Sequence, residues 1–369
     1  MHQAISMHDG SNRFRGFRSI AIANSTHGKY PTGADSWIQH TRDIIFSLTG
    51  EKVVLLTSTG SLNWELQCYL AARAGVAQII ILPATRTHFH HRMIECADQL
   101  GVDPDLTEFL PLEAARENLR NYGEERDRFI LEMADRIIPV SVRPNGRLES
   151  LLRVIQPHGK IDASMQIHWA GSPGLPVKLP DAEAVRNIVD PILEGWLIHW
   201  TRASQGPWPG EKKCDFFRDL LESRSEYPRS AQKTFQRILS EKKIRASSWR
   251  IRNNQPVVAF SALPPSQALR LMRWRPRYVR FSFEPFGIAV EPETASASGI
   301  REVIYLESPD PPPEEIPAYL FQGRGKKGDW PIEQEYRHPG DFDLTGLSRN
   351  EVQPADLMEM ITKTNKAVD

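Results

Sequence analysis

At 369 residues the chain is long enough for two domains, and 40% hydrophobic with 25% charged residues is a globular composition that excludes wholesale disorder. Basic and acidic residues balance at 46 each, so a uniformly basic nucleic-acid surface is excluded and only local patches remain possible. The three cysteines, Cys68, Cys96 and Cys214, are far apart and form no CxxC pair, which argues against a disulfide framework, a zinc knuckle or any other metal site.

No apolar run reaches the roughly 18 residues that a membrane span needs. The opening MHQAISMHDG lacks the charged and apolar blocks of a signal peptide, so a cytoplasmic protein without a membrane partner is expected. No repeat with a period of roughly 20 to 50 residues is present.

The first half alternates strand-like and helix-like runs. Ser19–Asn24 (SIAIAN) is β-capable and ends in the polar turn Ser25–Gly28. Trp37, Ile38, Ile44, Ile45 and Leu48 then follow a helical spacing. Lys52–Leu56 is a second buried-strand candidate, running into the turn Thr57–Ser61. Asn63 is the expected N-cap of the next helix, and Gly75 its expected C-terminal stop. Gln78–Leu82 (QIIIL) is a third strand. Glu125–Arg128 opens a later helix, and Arg136–Val142 (RIIPVSV) is a further strand. This alternation predicts βαβ units around a parallel, Rossmann-like sheet, with ligands bound beyond the carboxyl ends of the strands. Ser25, Thr57, Gly60 and Ser61 occupy that kind of position. Small hydroxyl and glycine residues there either cradle a phosphate at a helix start or simply make short βα loops.

The order of an arginine-bearing helix start, the strand RIIPVSV and the loop RPNGRLES resembles the SLOG superfamily over about residues 17 to 170. That superfamily includes the lysine-decarboxylase-like phosphoribohydrolases and the DNA-processing protein DprA. The phosphoribohydrolase loop reads PGGxGTxxE. Here Gly146 and Glu149 fit it, the glycine pair is absent, and Arg147 stands in place of threonine. The resemblance implies a nucleotide ligand held with the help of Arg126, Asn145 and Gly146, a sensing role, and self-association into a homo-oligomer. Phosphoribohydrolase chemistry through Glu149 and Arg126 is the alternative for this half.

Ala170–Pro180 (AGSPGLPVKLP) concentrates proline and glycine, residues that suit neither a helix nor a central strand. The expected division is therefore 1–170, a linker over 171–190, a second domain over 191–347 and a polar tail over 348–369. In the second domain Gly195–Thr201 (GWLIHWT) reads as a strand with His199 and Thr201 on one face and Trp200 on the other. A loop containing Trp208 follows. A helix is expected on Ala231, Phe235, Ile238 and Leu239, ending near Glu241. Val257–Ser261, Phe286–Val290 and Glu302–Leu306 are strand candidates. Extended geometry over Trp330–Arg337 would set Glu333 and Glu335 on one face and Ile332, Gln334 and Tyr336 on the other. Arg273–Arg280 (RWRPRYVR) interleaves arginines with aromatics, a pattern open to nucleotide stacking or to a surface strand with snorkelling arginines. Ser308–Pro313 reads as a stiff connection, and Gly323–Gly328 (GRGKKG) as a basic loop, either solvated or contacting an acidic target or phosphate.

The ordered set HWT, IRAS, VVAFS, FGIAV and WPIEQEYR resembles the AbiGi-type abortive-infection proteins and, through them, the DarT-like ADP-ribosyltransferases. The match covers about 150 residues. It implies an α+β domain with a split sheet that clamps NAD as substrate. Glu333 or Glu335 would then stabilise the oxocarbenium-like centre formed when the nicotinamide bond breaks. His199 would hold the adenosine ribose with Thr201 assisting, Arg245 would meet the pyrophosphate, and Phe286 would stack on nicotinamide. Ser261 is the stand-in for a missing Ser-Thr-Ser strand. Arg337 beside the glutamates instead allows a structural ion pair.

Three functions are thus expected to compete. One is a nucleotide-regulated antiviral defence effector that cleaves NAD or transfers ADP-ribose to a protein or nucleic-acid acceptor. Another is a nucleotide-binding sensor or scaffold without turnover. The third is a phosphoribohydrolase in the first half.

Overall fold

The computed structural model describes residues 13–83, 87–112, 122–171, 174–248, 251–306, 316–323 and 330–368. The chain divides into two compact units. Unit 1 comprises Met1–Gly174 together with Lys212–Tyr227, and unit 2 comprises Leu175–Glu211 and Pro228–Asp369. The expected bounds differ from this division in three places, the first being that the expected linker over 171–190 is divided between the units at Gly174 and Leu175. The sixteen-residue excursion belongs to unit 1, and the stretch after 347 is part of unit 2.

In unit 1, five strands form one wholly parallel sheet: β1 (Arg18–Asn24), β2 (Val53–Ser58), β3 (Gln78–Pro83), β4 (Thr107–Leu112) and β5 (Arg136–Ser141). Their order is β4-β3-β2-β1-β5. The helices between them are α1 (Ser36–Ser47), α2 (Leu62–Ala74), α3 (Phe89–Leu100) and α4 (Tyr122–Met133), and α5 (Arg147–Ile155) follows β5. The strands are near-continuous apolar runs because helices cover both faces of such a sheet. Ile20 to Ala23, Val54 to Leu56 and Ile80 to Leu82 are all buried. β4 has no such run. It lies at the sheet edge, is half-buried and carries Pro111, which an edge strand tolerates. The excursion contributes α6 (Lys213–Glu222), whose Phe216, Phe217 and Leu220 are buried, with Phe217 stacked on Tyr69 at 5.7 Å.

Of two local expectations, one changes and one holds. Ser61, not Asn63, caps α2 by accepting from the Trp64 amide; Asn63 lies inside the helix, and its side-chain amide donates to the carbonyls of Asn24 and Ser25. Gly75 does end α2, in the left-handed conformation at φ 65°.

Unit 2 is built on a six-stranded antiparallel sheet. Its strands are β6 (Leu197–Trp200), β7 (Val257–Ser261), β8 (Phe286–Val290), β9 (Arg301–Glu302), β10 (Glu335–Pro339) and β11 (Val352–Asp356), in the order β9-β10-β7-β6-β8-β11. α7 (Ala231–Glu241) packs Phe235 and Ile238 into the core, while Leu239 is exposed. The terminal stretch supplies β11 and α8 (Leu357–Val368). One join in the sheet is minimal: β6 meets β7 through the single pair Ile198 opposite Ser261, whereas β7 pairs with β10 over five residues and β6 with β8 over four. Gly287 makes the β6–β8 contact possible, because a Cβ there would lie 2.8 Å from Ile198 Cγ2 and 2.9 Å from the His199 carbonyl. The expected extended run over 330–337 is also corrected. Trp330–Glu333 is a 3-10 turn, Gln334 takes a left-handed φ of 44°, and the strand begins only at Glu335. The stretches 308–313 and 324–328, expected as a stiff connection and a basic loop, lie outside the described residues.

Among the described residues no helix is long and apolar enough to cross a membrane, and no group of three or more His, Cys, Asp or Glu is placed to hold a metal.

Candidate functional site

The site begins where β6 and β7 part. Thr201 donates its amide to the Phe286 carbonyl at 2.7 Å, so by antiparallel alternation Trp200 turns its own N–H and C=O away from β8 and toward β7. Pairing with β7 has already stopped at Ile198, which leaves that edge of the backbone facing a gap. The His199 ring bridges the gap, with Nδ1 lying 2.8 Å from the Ala259 carbonyl. A carbonyl only accepts, so Nδ1 carries the proton. Burial lowers the imidazole pKa to about 4, which keeps the ring neutral and leaves Nε2 as an acceptor.

A cavity of about 840 Å³ opens at this gap. His199, Thr201, Arg245, Ser261, Glu333 and Glu335 all line it. The structure thus brings together six of the seven residues singled out in this half. Phe286 is the exception. It packs near Phe235, with ring centroids 6.1 Å apart, and borders a second cavity of about 500 Å³ with Glu284 and Asp356. A nicotinamide-stacking role for Phe286 is therefore corrected.

The two glutamates differ sharply. Glu335 is locked by Arg337, which donates to its two carboxylate oxygens at 2.7 and 3.0 Å. Arg337 is 3% exposed and also donates to the Tyr319 carbonyl and Gln322 Oε1. Glu333 has no ion-pair partner among the described residues. Burial, then repulsion from Glu335, raises its carboxyl to about 7, with Arg275 and Arg273 acting the other way. The expected ion pair at Arg337 thus exists and takes only Glu335.

Three other singled-out groups serve the fold. Thr201 donates its hydroxyl toward the carbonyls of Ala231 and Phe286 and is 1% exposed. Ser261 Oγ donates to the Glu333 carbonyl at 2.7 Å and so anchors the turn that carries Glu333. Arg245 is shared between Glu241 at 3.1 Å and Asp341 at 3.4 Å, which weakens its call on a pyrophosphate.

Much of the wall comes from stretches the sequence marked without joining them to this site. Trp208 and Gln205 come from the loop after β6, and Arg275, Tyr278 and Arg280 from the arginine–aromatic stretch. That stretch is a small hairpin in which Arg275 pairs with Arg280 and Trp274 with Phe281. The guanidinium carbons of Arg277 and Arg280 lie 5.9 and 5.7 Å from the Tyr278 ring centre. Gln205 Nε2 donates to the carbonyls of Tyr278 and Val279 at 2.8 and 2.7 Å, tying the two stretches together. The alternation of arginine and aromatic residues was the available signal; nothing in the sequence placed it beside His199.

In unit 1 the strand order reverses between β1 and β5, so the crevice of a parallel sheet falls at their carboxyl ends. Several polar groups there have partners within the protein, while His27 Nδ1 and Nε2 and Ser141 Oγ are buried without a hydrogen-bond partner among the described residues. Ser25 Oγ accepts from the Arg143 amide at 2.8 Å, and Asn24 Oδ1 accepts from the Ser141 amide at 3.2 Å. Thr57 lies inside β2, fully buried, rather than in the turn beyond it. Gly60 donates its amide to Glu65 at 3.0 Å, and Ser61 is the α2 cap. Arg126 is 6% exposed and is held by the Thr59 carbonyl and by Asp127. Asn145 donates its amide to Glu149 at 2.8 Å, and Gly146 sits so close to the Arg143 carbonyl that a Cβ would approach to 2.9 Å. Glu149, the carboxylate of the phosphoribohydrolase alternative, also pairs with Arg153. His27 is 9% exposed, stacks on Trp37 at 4.5 Å, and is lowered to about 4 by burial.

No protein-family model matches the chain, and no curated protein matches it. Two solved structures resemble part of it. One is DNA processing protein A from Helicobacter pylori, described for its single-stranded DNA binding mode, at 15% identity and a TM-score of 0.30 over 41% of this chain and 67% of that one. The other is DprA from Streptococcus pneumoniae, at 10% identity and a TM-score of 0.31 over 44% of this chain and 53% of that one. The chain thus spans about two thirds and about half of their lengths, and overlaps this slight define no function for it.

Proposed function

We propose that unit 2 cleaves the nicotinamide–ribose bond of NAD and passes the ADP-ribose to an acceptor or to water. The observation that carries this is the convergence, in one cavity, of a neutral His199, an open backbone edge at Trp200 and an unpaired Glu333. The family resemblance in the sequence supports it, and so does the near-separation of the sheet between β6 and β7, the feature expected of a split sheet that clamps a dinucleotide.

Each group has a task that its chemistry suits. The Trp200 N–H and C=O can pair with a carboxamide, which needs one acceptor and one donor side by side. His199 Nε2 accepts from a ribose hydroxyl. The C1′–N bond breaks with its electron pair moving to the nicotinamide nitrogen, and positive charge develops on the ribose. Glu333, as carboxylate, stabilises that charge. An acceptor oxygen then bonds to C1′, and its proton passes to Glu333 and on to solvent. Glu335 is a positioning residue: held by Arg337, its carboxylate adds repulsion to the burial that raises the Glu333 carboxyl. Turnover therefore increases as pH rises through about 7, where Glu333 loses its proton.

The test is to incubate the full chain with NAD and follow nicotinamide release from pH 5.5 to 8.5. Release that rises with an apparent pKa near 7, and is lost in Glu333→Gln, supports the assignment. No release across the range from a folded chain, with NAD bound, favours a nucleotide sensor without turnover. Recovery of label on protein, on nucleic acid or only as free ADP-ribose identifies the acceptor. Regulation by a nucleotide in unit 1, a homo-oligomeric state and a role in antiviral defence belong to the same proposal, and rest on the sequence resemblances alone.

A further inference from the structure

We propose that the second cavity of unit 2 binds an aliphatic amine carrying more than one ammonium group, with Glu284 as its principal anchor. This cavity shares no lining residue with the one that holds His199 and Glu333, and its ligand does not depend on NAD chemistry.

Strand pairing builds the site. Phe286 opens β8 and lies directly opposite Asp356 at the end of β11, so the two side chains stand on one face of the sheet. Residues from the start of α7, from α8 and from the stretch 175–178 complete the wall around about 500 Å³. Phe286, Met358 and Val177 supply apolar surface. The volume falls in the range of about 300–1,000 Å³ that small organic ligands occupy.

Glu284 is the group that calls for a ligand. It is 6% exposed, yet no cation meets it among the described residues. Oε1 accepts from the Ala203 amide at 3.0 Å, and Oε2 has no partner among the described residues. Burial raises its pKa, with only that amide acting the other way. A desolvated carboxylate with a spare oxygen at a cavity wall is costly, and an incoming cation offsets that cost. Asp356 adds a second carboxylate. Its Oδ1 caps α8 by accepting from the Met358 and Glu359 amides, each at 3.1 Å, which leaves Oδ2 over. Exposed Glu359, paired with Lys363 at 2.6 Å, and exposed Lys178 are the remaining charged groups of the wall.

The arrangement favours an organic cation over a metal. Among the described residues no group of three or more His, Cys, Asp or Glu is placed to hold an ion. Carboxylates spread along an apolar wall suit methylene segments with ammonium groups at intervals, each ammonium offering three donors.

The experiment is calorimetry of the full chain with spermidine, putrescine and magnesium chloride at matched ionic strength. Spermidine should bind saturably and more tightly than putrescine, and magnesium should not displace it. Glu284→Gln keeps an oxygen for the Ala203 amide and removes the charge, so it should weaken spermidine by about tenfold or more. Lys178→Glu, on an exposed side chain, should tighten spermidine by about twofold to fivefold. It decides the matter if Glu284→Gln does not fold, and an affinity that fails to rise in it then counts against the site. No spermidine binding by the natural chain at millimolar concentration, affinity unchanged by Glu284→Gln in a folded chain, or displacement by equimolar magnesium overturns the site.

Discussion

The two units treat most of the polar groups at their strand ends in opposite ways, His27 and Ser141 Oγ of unit 1 being exceptions. In unit 1 a parallel sheet brings Ser25, Gly60, Ser61, Arg126 and Asn145 to the usual ligand-binding positions, and each is then bonded to the protein itself. In unit 2 the sheet nearly parts between β6 and β7, and Glu333, His199 Nε2 and the Trp200 backbone are left facing a cavity. Residue type is thus a poor guide to a site. What separates a structural serine or arginine from a functional one is whether the fold supplies its partner, because an unpaired buried polar group costs free energy that a ligand can recover.

The sharpest way to break this comparison is at Glu333. Glu333→Gln should lower nicotinamide release by about 100-fold or more. It should also stabilise the protein at pH 8 by about 1–3 kcal/mol, since a carboxyl raised from 4.5 to about 7 is disfavoured as an anion in the folded state. Urea titration reads the second effect without any activity, and a loss of stability would contradict the unpaired carboxylate.

Next in size are the buried arginines. Glu335→Gln leaves the Arg337 charge without its carboxylate, and Arg126→Ala removes the group holding Thr59 and Asp127. Each should cost about 3 kcal/mol in chemical denaturation. An Arg126→Ala cost below about 1 kcal/mol would mean that the unit 1 loop does not depend on that arginine.

The two histidines whose pKa burial lowers, His27 buried and His199 half-buried, provide a pH test. His27 and His199 are both lowered from 6.5 to about 4, so the unfolded chain takes up their protons first. Their contribution is complete above about pH 6.5 and is lost as pH falls toward 4, by up to about 3 kcal/mol each. His199→Gln and His27→Phe should each flatten part of the acid limb of a stability-against-pH curve; an unchanged limb in both would show that neither ring is neutral and buried. The smallest effect is expected at Ser61→Ala, about 1 kcal/mol, from loss of the α2 cap. A matching loss at Asn63→Ala would come from its bonds to the β1 turn, not from capping, and would leave α2 helicity unchanged.

Much of the fold was legible. SIAIAN and QIIIL announce buried parallel strands because a strand covered on both faces carries no alternation to disguise it. β4 was not legible, since an edge strand with Pro111 has neither the long run nor the alternation. α6 has a clear amphipathic pattern in Phe216, Phe217 and Leu220, but its membership of unit 1 depends on partners far away in sequence, such as Glu65 for Lys213. In the site, the type and order of His199, Glu333 and Glu335 were visible. The division between the glutamates was not, because the left-handed Gln334 breaks the expected strand and gives the two carboxylates different surroundings.

The sequence by itself determined the local elements, the alternation that makes unit 1 a parallel α/β sheet, and a set of residues of which six line one cavity. Only the tertiary structure decided which of them have partners. Hydrophobic periodicity acts over a few residues and is written along the chain, whereas hydrogen-bond satisfaction is settled between segments up to about a hundred residues apart, as when Arg143 meets Ser25 and the Glu333 carboxylate finds no ion-pair partner among the described residues.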